Sequence, residues 1–249
     1  MRAAILTYHS LDDEPSVTSV APQVFARHME SLHAAGIEVV PLERVAQDDP
    51  GAVAPRVAIT FDDGFRNLLD HAVPVLQRLA YPATVFAVSD WRGKDSGWYS
   101  QPAGVPRRRL LDTTELKRML DAGWQIGSHT RNHALLTELD DGELERELAD
   151  SRTELERDLG VSVPTFAYPY GVADDRVRAA AARCFDLACG TRFAYLGAAD
   201  DRHDLPRLDM YYFRHTPDLS HLFGVKGRAY VAMRAALRNA RLRMAGTSP

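Results

Sequence analysis

The sequence has few cysteines, no long apolar stretch and no excess of positive charge, and each shortage excludes a class of protein. Its 249 residues include only two cysteines, Cys184 and Cys189. They form no Cys-x-x-Cys pair, so neither a disulfide framework nor a thiolate metal site is expected. No stretch approaches the ~18 uncharged apolar residues that cross a bilayer. The formal net charge of -4 argues against a protein built mainly to hold nucleic acid.

The chain also lacks a recognisable signal peptide and an internal linker. Met1 and Arg2 lead directly into a short apolar run without a small-residue cleavage site. We therefore expect a soluble, cytoplasmic protein, unless a leader has been removed. With 45% hydrophobic residues, the chain can bury one substantial core in a single domain.

Apolar strands alternate with helical patterns along the chain, which predicts a parallel sheet with helices outside it. Pro74 predicts a break within the helix at 65–79. Each charged or aromatic motif follows a predicted strand, and parallel barrels carry their chemistry at those strand ends. The predicted strands are 3–9, 39–40, 56–61, 83–88, 124–128, 164–167 and 187–189, and the predicted helices are 22–35, 65–79, 113–120 (capped by Thr113), 140–159 and 174–183.

Two adjacent carboxylates, Asp62 and Asp63, end the strand predicted at 56–61, and Gly64 then permits a sharp turn. Successive side chains on a strand point to opposite faces, so the two acids can serve different tasks. Carboxylates this close repel each other unless a cation lies beside them, which predicts a metal ion nearby. An ordinary acidic turn is the alternative interpretation.

The remaining ligands are predicted after the strand at 124–128, where His129 and His133 have an His-x-x-x-His spacing. One Asp and two His form an open triad that leaves metal positions for water and substrate. Ser128 and Asn132 are candidates to orient the two imidazoles by hydrogen bonds. Zn²⁺ is the first choice for this ligand set, although other divalent ions bind it too.

Three motifs in this order resemble those of the polysaccharide deacetylases with the NodB-homology domain, also called carbohydrate esterase family 4. They are Thr-Phe-Asp-Asp-Gly at 60–64, Ser-His-x-x-x-His at 128–133 and Phe-Ala-Tyr-Pro-Tyr-Gly at 166–171. The resemblance extends from the first strand to about Arg207. It implies a single domain folded as a distorted seven-stranded parallel (β/α) barrel.

The resemblance also implies roles for the site residues. It assigns Asp63 as a metal ligand with His129 and His133, and Asp62 as the general base. A carboxylate beside a metal site can take the proton of the attacking water, so the chemistry agrees. In the third motif, a rigid turn would aim the backbone N–H of Tyr170 at the developing oxyanion. A simple Pro-Gly turn is the alternative.

One position departs from the commoner family pattern, because Ala167 stands where an Arg is usual. Another residue must then orient Asp62, and Arg207 is our candidate, with a surface arginine as the alternative. The third motif is more similar to the subgroup that deacetylates poly-N-acetylglucosamine exopolysaccharide. That subgroup also carries a Tyr-His pair near its N-terminus, which here is Tyr8 and His9.

The general acid that protonates the leaving amine is predicted to be a histidine, and His9 is our choice. It follows the first strand, at the same rim as the acid pair. His215 is the alternative, because it lies near the position where the wider family keeps its acid. The other candidates were set aside because they lie in predicted helices on the outside of the barrel (His28, His33, His71) or have no motif around them (His203, His221).

Two further segments have open interpretations. The loop at 89–109 carries Trp91, Trp98 and Tyr99, which either stack on sugar or, as we favour, anchor the loop itself. Beyond the deacetylase domain at 1–225, residues 226–249 predict a basic amphipathic helix and tail. We expect this helix to dock on the barrel, with a weak contact to a membrane surface or an anionic partner as the alternative. Its predicted apolar stripe is Tyr230, Met233, Leu237, Ala240 and Met244.

The sequence thus predicts a metal-dependent hydrolase that removes acetyl from an N-acetylated amino sugar, an N-acetylglucosamine-type glycan or glycoconjugate, and releases acetate. One alternative is hydrolysis of a non-sugar amide or an O-acetyl ester at the same site. The other is a catalytically silent glycan-binding barrel. The presence of all four candidate catalytic and metal-binding residues argues against a catalytically silent protein: Asp62, Asp63, His129 and His133.

Overall fold

The computed structural model describes residues 2–47, 54–99, 101 and 104–244, without the side chains of 242–244. The strands are β1 (Ala3–Tyr8), β2 (Ser10–Leu11), β3 (Ser19–Val20), β4 (Glu38–Val39), β5 (Arg56–Phe61), β6 (Thr84–Ala87), β7 (Gln125–Ser128), β8 (Thr165–Ala167), β9 (Leu187–Cys189) and β10 (Leu208–Asp209). The α-helices are α1 (Pro22–Ala34), α2 (Leu42–Val45), α3 (Leu68–His71), α4 (Val73–Arg78), α5 (Thr113–Asp121), α6 (Asp141–Glu145), α7 (Ser151–Leu159), α8 (Asp175–Cys184) and α9 (Val225–Met244).

Seven strands form one curled, wholly parallel sheet, in the order β10-β1-β5-β6-β7-β8-β9. The short β4 also pairs with the first residues of β5, while β6 pairs with its last residues. Every residue of β1 and β5 is buried, as expected where helices cover a parallel sheet. This arrangement confirms the predicted distorted seven-stranded (β/α) barrel.

The segment 205–209, which ends in β10, joins β9 to β1 and so closes the barrel. Leu205 bridges to Cys189 of β9, and Leu208 pairs with Leu6 of β1. The backbone N–H of Leu205 also donates to the carbonyl of Ala188 at 3.0 Å. Arg207, between these two contacts, is therefore buried in the wall of the barrel.

Helix boundaries follow local sequence signals, with two differences from prediction. The break near Pro74 is confirmed, since α3 ends at His71 and α4 begins at Val73. The prediction that Thr113 caps α5 is wrong: Asp112 is the N-cap, in a reciprocal capping box with Glu115. The helix predicted at 140–159 is interrupted, because a π-helical turn, Arg146–Asp150, joins α6 to α7.

The C-terminal helix α9 docks on the barrel as predicted, but among the side chains that the structure describes only part of the predicted stripe, Tyr230, packs against the core. Val231 is buried, whereas Met233 and Leu237 of the predicted stripe are each 51% exposed. Residues 245–249 of the predicted tail lie outside the described residues, and the division of the chain at residue 225 remains a prediction. Among the helices that the structure describes, none combines the length and apolarity required to span a membrane.

The packing of β7 against its neighbours can be tested at Gly127. A Cβ added there would lie 2.4 Å from the Phe86 ring and 2.8 Å from the Thr165 hydroxyl. We therefore expect Gly127→Ala to lower the free energy of unfolding by about 1–3 kcal/mol in urea titrations. The control is Gly142→Ala in α6, where the nearest atoms lie 3.5 Å away and no loss is expected. Equal stability of wild type and Gly127→Ala would contradict this packing.

Candidate active site

One cavity of about 520 Å³ opens at the carboxyl ends of the barrel strands. Its volume is within the range of small-molecule sites. The structure places all seven residues singled out by the sequence in its lining: His9, Asp62, Asp63, His129, His133, Tyr170 and Arg207. They come from five separate stretches of the chain, so only the closed barrel brings them together.

The two acids occupy a turn directly after β5. The backbone N–H of Asp62 still pairs with Tyr8, but Asp63 and Gly64 adopt left-handed conformations, with φ of 69° and 75°. The side chains therefore diverge because of this turn, and not because of simple strand alternation. Both acids are buried, at 4% and 5% exposure, so each charge needs a partner inside the protein.

The partner of Asp62 is Arg207, which lies in the segment that closes the barrel. Its Nη1 and Nη2 donate to Oδ1 and Oδ2 of Asp62 at 2.7 and 2.8 Å, and its Nε donates to the carbonyl of Gly190. This bidentate geometry is the strong form of the carboxylate–guanidinium pair. Burial raises the pKa of Asp62, but the charges of Arg207, His129 and His9 outweigh burial and hold that pKa below its usual range.

The partners of Asp63 are the two imidazoles that follow β7. Its Oδ1 lies 3.5 Å from Nε2 of His129 and 3.3 Å from Nε2 of His133. The three ligand atoms all lie within 4.8 Å of one another and all three residues are buried. Burial raises the pKa of Asp63, but hydrogen bonds from the two histidines hold it well below its ordinary value.

The donor set fits a divalent metal ion. Nδ1 of His129 donates to the carbonyl of Ala167 at 2.7 Å, so a neutral His129 turns the lone pair of Nε2 toward Asp63. Two acceptors that face each other in a buried site need a cation between them. Two imidazole nitrogens and one carboxylate oxygen are typical zinc ligands and leave coordination positions open.

The His129–His133 loop is held by a residue that the sequence analysis missed. Glu147, in the π-helical turn, accepts hydrogen bonds from the backbone N–H groups of Arg131 and Asn132 at 2.9 and 2.8 Å. Thr130 and His133 both have positive φ, so this loop needs such anchors. No sequence motif indicated a role for Glu147, because its position depends on the π-helical turn Arg146–Asp150.

The partners predicted for the imidazoles are wrong, because Ser128 and Asn132 face away from them. The Ser128 hydroxyl bonds to that of Ser151, and the Asn132 side chain donates to Glu147. The actual partner of His129 is the carbonyl of Ala167. Nδ1 of His133 instead lies 3.1 Å from the hydroxyl of Tyr170.

Histidine placement separates the two candidates for the general acid. His9 lines the cavity, with Nε2 at 3.8 Å from Oδ2 of Asp62, whereas His215 is exposed and is not among the lining residues. His28 lies in α1, a helix outside the sheet as predicted, and does not line the cavity. It is buried, where Nε2 donates to the carbonyl of Thr216 and Nδ1 bonds to the hydroxyl of Tyr8. Burial lowers the pKa of His28 to about 4.

The aromatic residues of the loop at 89–109 have separate positions. Trp98 is buried and stacks on His133, with ring centroids 4.2 Å apart, while Trp91 packs against its edge. These two anchor the loop, and Trp98 also supports a predicted metal ligand. Tyr99 is fully exposed. Residues 100, 102 and 103 of this loop lie outside the described residues.

Three charged lining residues had not been assigned to the site from sequence. Asp209 of β10, in the closing segment, lines the cavity with Arg238 and Arg241 of α9. Burial raises the pKa of Asp209, against the charges of His9, Arg238 and Arg207. The sequence predicted only a basic amphipathic helix here, and the docking of α9 brings these two arginines to the cavity.

Comparison with known proteins identifies relatives of this chain. It is 29% identical to YxkH of Bacillus subtilis over 170 residues, 67% of this chain and 56% of YxkH. It is 27% identical to the poly-beta-1,6-N-acetyl-D-glucosamine N-deacetylase of Staphylococcus aureus over 128 residues, 48% of this chain and 41% of that protein. The chain thus spans about half the length of these relatives.

A solved structure shares the fold. The deacetylase PplD of Streptococcus pyogenes, solved in complex with acetate, superposes with a TM-score of 0.72 at 22% identity, covering 84% of this chain and 92% of PplD. The family model for polysaccharide deacetylase matches residues 51–185, which include the acid pair, both histidines and the third motif. The chain belongs to the polysaccharide deacetylase family.

Proposed function

We propose that this chain is a metal-dependent deacetylase that removes the acetyl group from an N-acetylated amino sugar and releases acetate. The observation that supports this best is the division of the acid pair. Asp62 is fixed by Arg207 and Asp63 faces two imidazoles, within one cavity. The name of the Staphylococcus aureus relative suggests an N-acetylglucosamine-type glycan as substrate.

In this proposal Asp63, His129 and His133 hold a divalent ion, with Zn²⁺ the first choice. When bound, such an ion polarises the amide carbonyl and lowers the pKa of water. The π-turn residue Glu147 keeps the histidine loop in place, and Tyr170 and Trp98 support His133. The chain therefore supplies both the ligands and the contacts that orient them.

Asp62 acts as the general base in this mechanism and takes a proton from the attacking water. The bidentate contact with Arg207 keeps the carboxylate ionised and fixes its orientation. Arg207 thus does what the commoner family pattern assigns to an Arg at position 167. The oxyanion role of the Tyr170 backbone N–H is part of the same proposal.

His9 acts as the general acid and protonates the leaving nitrogen as the C–N bond breaks. Its Nε2 lies 3.8 Å from Asp62, so acid and base face the same space in the cavity. This short separation suits an amide group, whose carbon and nitrogen are adjacent atoms. The products are acetate and a free amino sugar.

Metal binding can be measured directly. We expect His129→Ala to lose its zinc, because a buried site with only one Asp and one His left holds the ion far less tightly. Metal content is measured by inductively coupled plasma mass spectrometry after incubation with zinc and dialysis. The control is His71→Ala at the end of α3, outside the cavity lining. Full zinc content in His129→Ala would refute the ligand assignment.

The base and its positioning arginine are tested together. We expect Asp62→Asn to lower kcat about 100-fold to 10,000-fold with metal content unchanged. Arg207→Lys keeps the positive charge but cannot form both hydrogen bonds to the Asp62 carboxylate, so we expect kcat to fall about 100-fold. Acetate release from N-acetylglucosamine oligomers is the measurement, with exposed Arg183→Lys on α8 as the control. Activity of Asp62→Asn within a few fold of wild type would exclude Asp62 as the base.

The general acid is tested by comparing two histidines. We expect His9→Ala to lower kcat about 100-fold or more, because the leaving amine then lacks its proton donor. His215→Ala should retain wild-type activity, since His215 is exposed and outside the cavity lining. Acetate release and metal content are measured for both variants. The opposite pattern would move the acid to the C-terminal segment.

A further inference from the structure

The C-terminal helix α9 supplies two cations to the wall of the active-site cavity, Arg238 and Arg241. They follow the buried Val231 by seven and ten residues, which places all three on one side of a helix. Lys226 and Arg228, also on α9, are exposed and line no part of the cavity. Arg238 is half-buried, and Arg241, although exposed, also lines the cavity, which distinguishes both from Lys226 and Arg228.

Arg238 is held in place at the rim of the barrel. Its Nη2 donates to the hydroxyl of Thr191 at 2.8 Å, in the stretch that follows β9. Thr191 in turn packs tightly against Gly171, beside the turn that carries Tyr170. A half-buried guanidinium with a fixed anchor is preorganised to bind an anion with its other donors.

Two of the guanidinium groups that line the cavity have no carboxylate of the described residues bonded to them. Three carboxylates and three guanidinium groups line it. Arg207 pairs with Asp62, and Asp63 faces the two imidazoles that would share a metal ion with it. Asp209 is then left against both Arg238 and Arg241, and neither arginine forms an ion pair with any residue that the structure describes. The formal charges of these six groups cancel, so a bound divalent metal ion would leave the cavity with a positive excess.

We propose that Arg238 and Arg241 form an anion subsite, so that the substrate is an N-acetylated amino sugar with a phosphate or carboxylate group on the reacting sugar or its neighbour. This inference rests on the proposed function and narrows its substrate class. Arginine forks recognise carboxylate and phosphate oxygens by paired hydrogen bonds. A neutral glycan offers no such group to these two side chains.

The same subsite disfavours a polymer whose neighbouring units are already deacetylated. A free amino sugar carries an ammonium group near neutral pH, and like charges across a contact reduce affinity. A substrate with regularly spaced acidic groups avoids this repulsion. The wall of α9 thus selects for acidic glycoconjugates and against neutral or cationic chains.

The test compares three probes with the zinc-loaded full chain. N-acetylglucosamine trimer is neutral, N-acetylglucosamine 1-phosphate carries a phosphate on the reacting sugar, and a disaccharide of glucuronic acid and N-acetylglucosamine carries a carboxylate on its neighbour. Acetate release gives kcat/KM for each probe. We expect at least one anionic probe to exceed the trimer about 10-fold or more, and the identity of that probe locates the anionic group.

The arginines are tested by the ratio of anionic to neutral kcat/KM. The double variant Arg238→Gln/Arg241→Gln should lower this ratio about 10-fold to 100-fold through a higher KM for the anionic probe. The matched control Arg228→Gln, at an exposed residue of α9 outside the cavity lining, should keep the wild-type ratio. An unchanged ratio in the double variant, or equal turnover of all probes by the wild type, would overturn the proposal.

Binding keeps the two proposals distinguishable. If the zinc-loaded protein hydrolyses none of the probes, the proposed function fails, and calorimetric titration with N-acetylglucosamine 1-phosphate then judges the subsite alone. Weaker binding by the double variant than by wild type and Arg228→Gln supports the subsite. Equal binding by all three proteins, or no binding by any of them, overturns it.

Discussion

The buried ion pair between Arg207 and Asp62 connects the closure of the barrel to its candidate chemistry. Arg207 lies in the segment that joins β9 to β1. Its guanidinium group bonds to Asp62, in the turn after β5. Removal of either charge would leave the other buried without a partner, which costs about 3–5 kcal/mol. The closed barrel therefore requires both partners, and the pair fixes the carboxylate of Asp62 beside that of Asp63. With Arg207 in this place, Ala167 remains small, and its carbonyl is used to orient His129.

Backbone strain is concentrated around the same cavity. Five non-glycine residues have positive φ among those the structure describes, and four of them are Asp63, Thr130, His133 and Tyr170. Each left-handed residue costs about 1–3 kcal/mol unless its surroundings impose it. Here the neighbours do so, through Glu147 on the histidine loop and the ring of Trp98 on His133. The site is thus preorganised by its protein contacts.

The sequence predicted the barrel and the composition of the site because both depend on local signals. Strand ends rich in Asp and His converge at one rim of a parallel barrel, which explains why seven residues from distant stretches share one cavity. The partners of Ser128 and Asn132 were wrong because adjacency in sequence does not determine side-chain direction in a strained loop. Glu147 and the arginines of α9 were missed because a π-helical turn and the docking face of a terminal helix depend on tertiary packing. The burial of His28 was not predicted for the same reason, since its bond to Tyr8 joins α1 to β1.

The central claim is that one acid of the pair binds metal while the other remains on Arg207. Crystals of the protein grown with zinc, and measured on both sides of the zinc absorption edge, test it most directly. We expect one anomalous peak within ~2.0–2.2 Å of the ligand atoms of Asp63, His129 and His133. The carboxylate of Asp62 should still accept hydrogen bonds from Nη1 and Nη2 of Arg207. A peak ligated by Asp62, with Arg207 displaced, or a peak away from these three residues would contradict it.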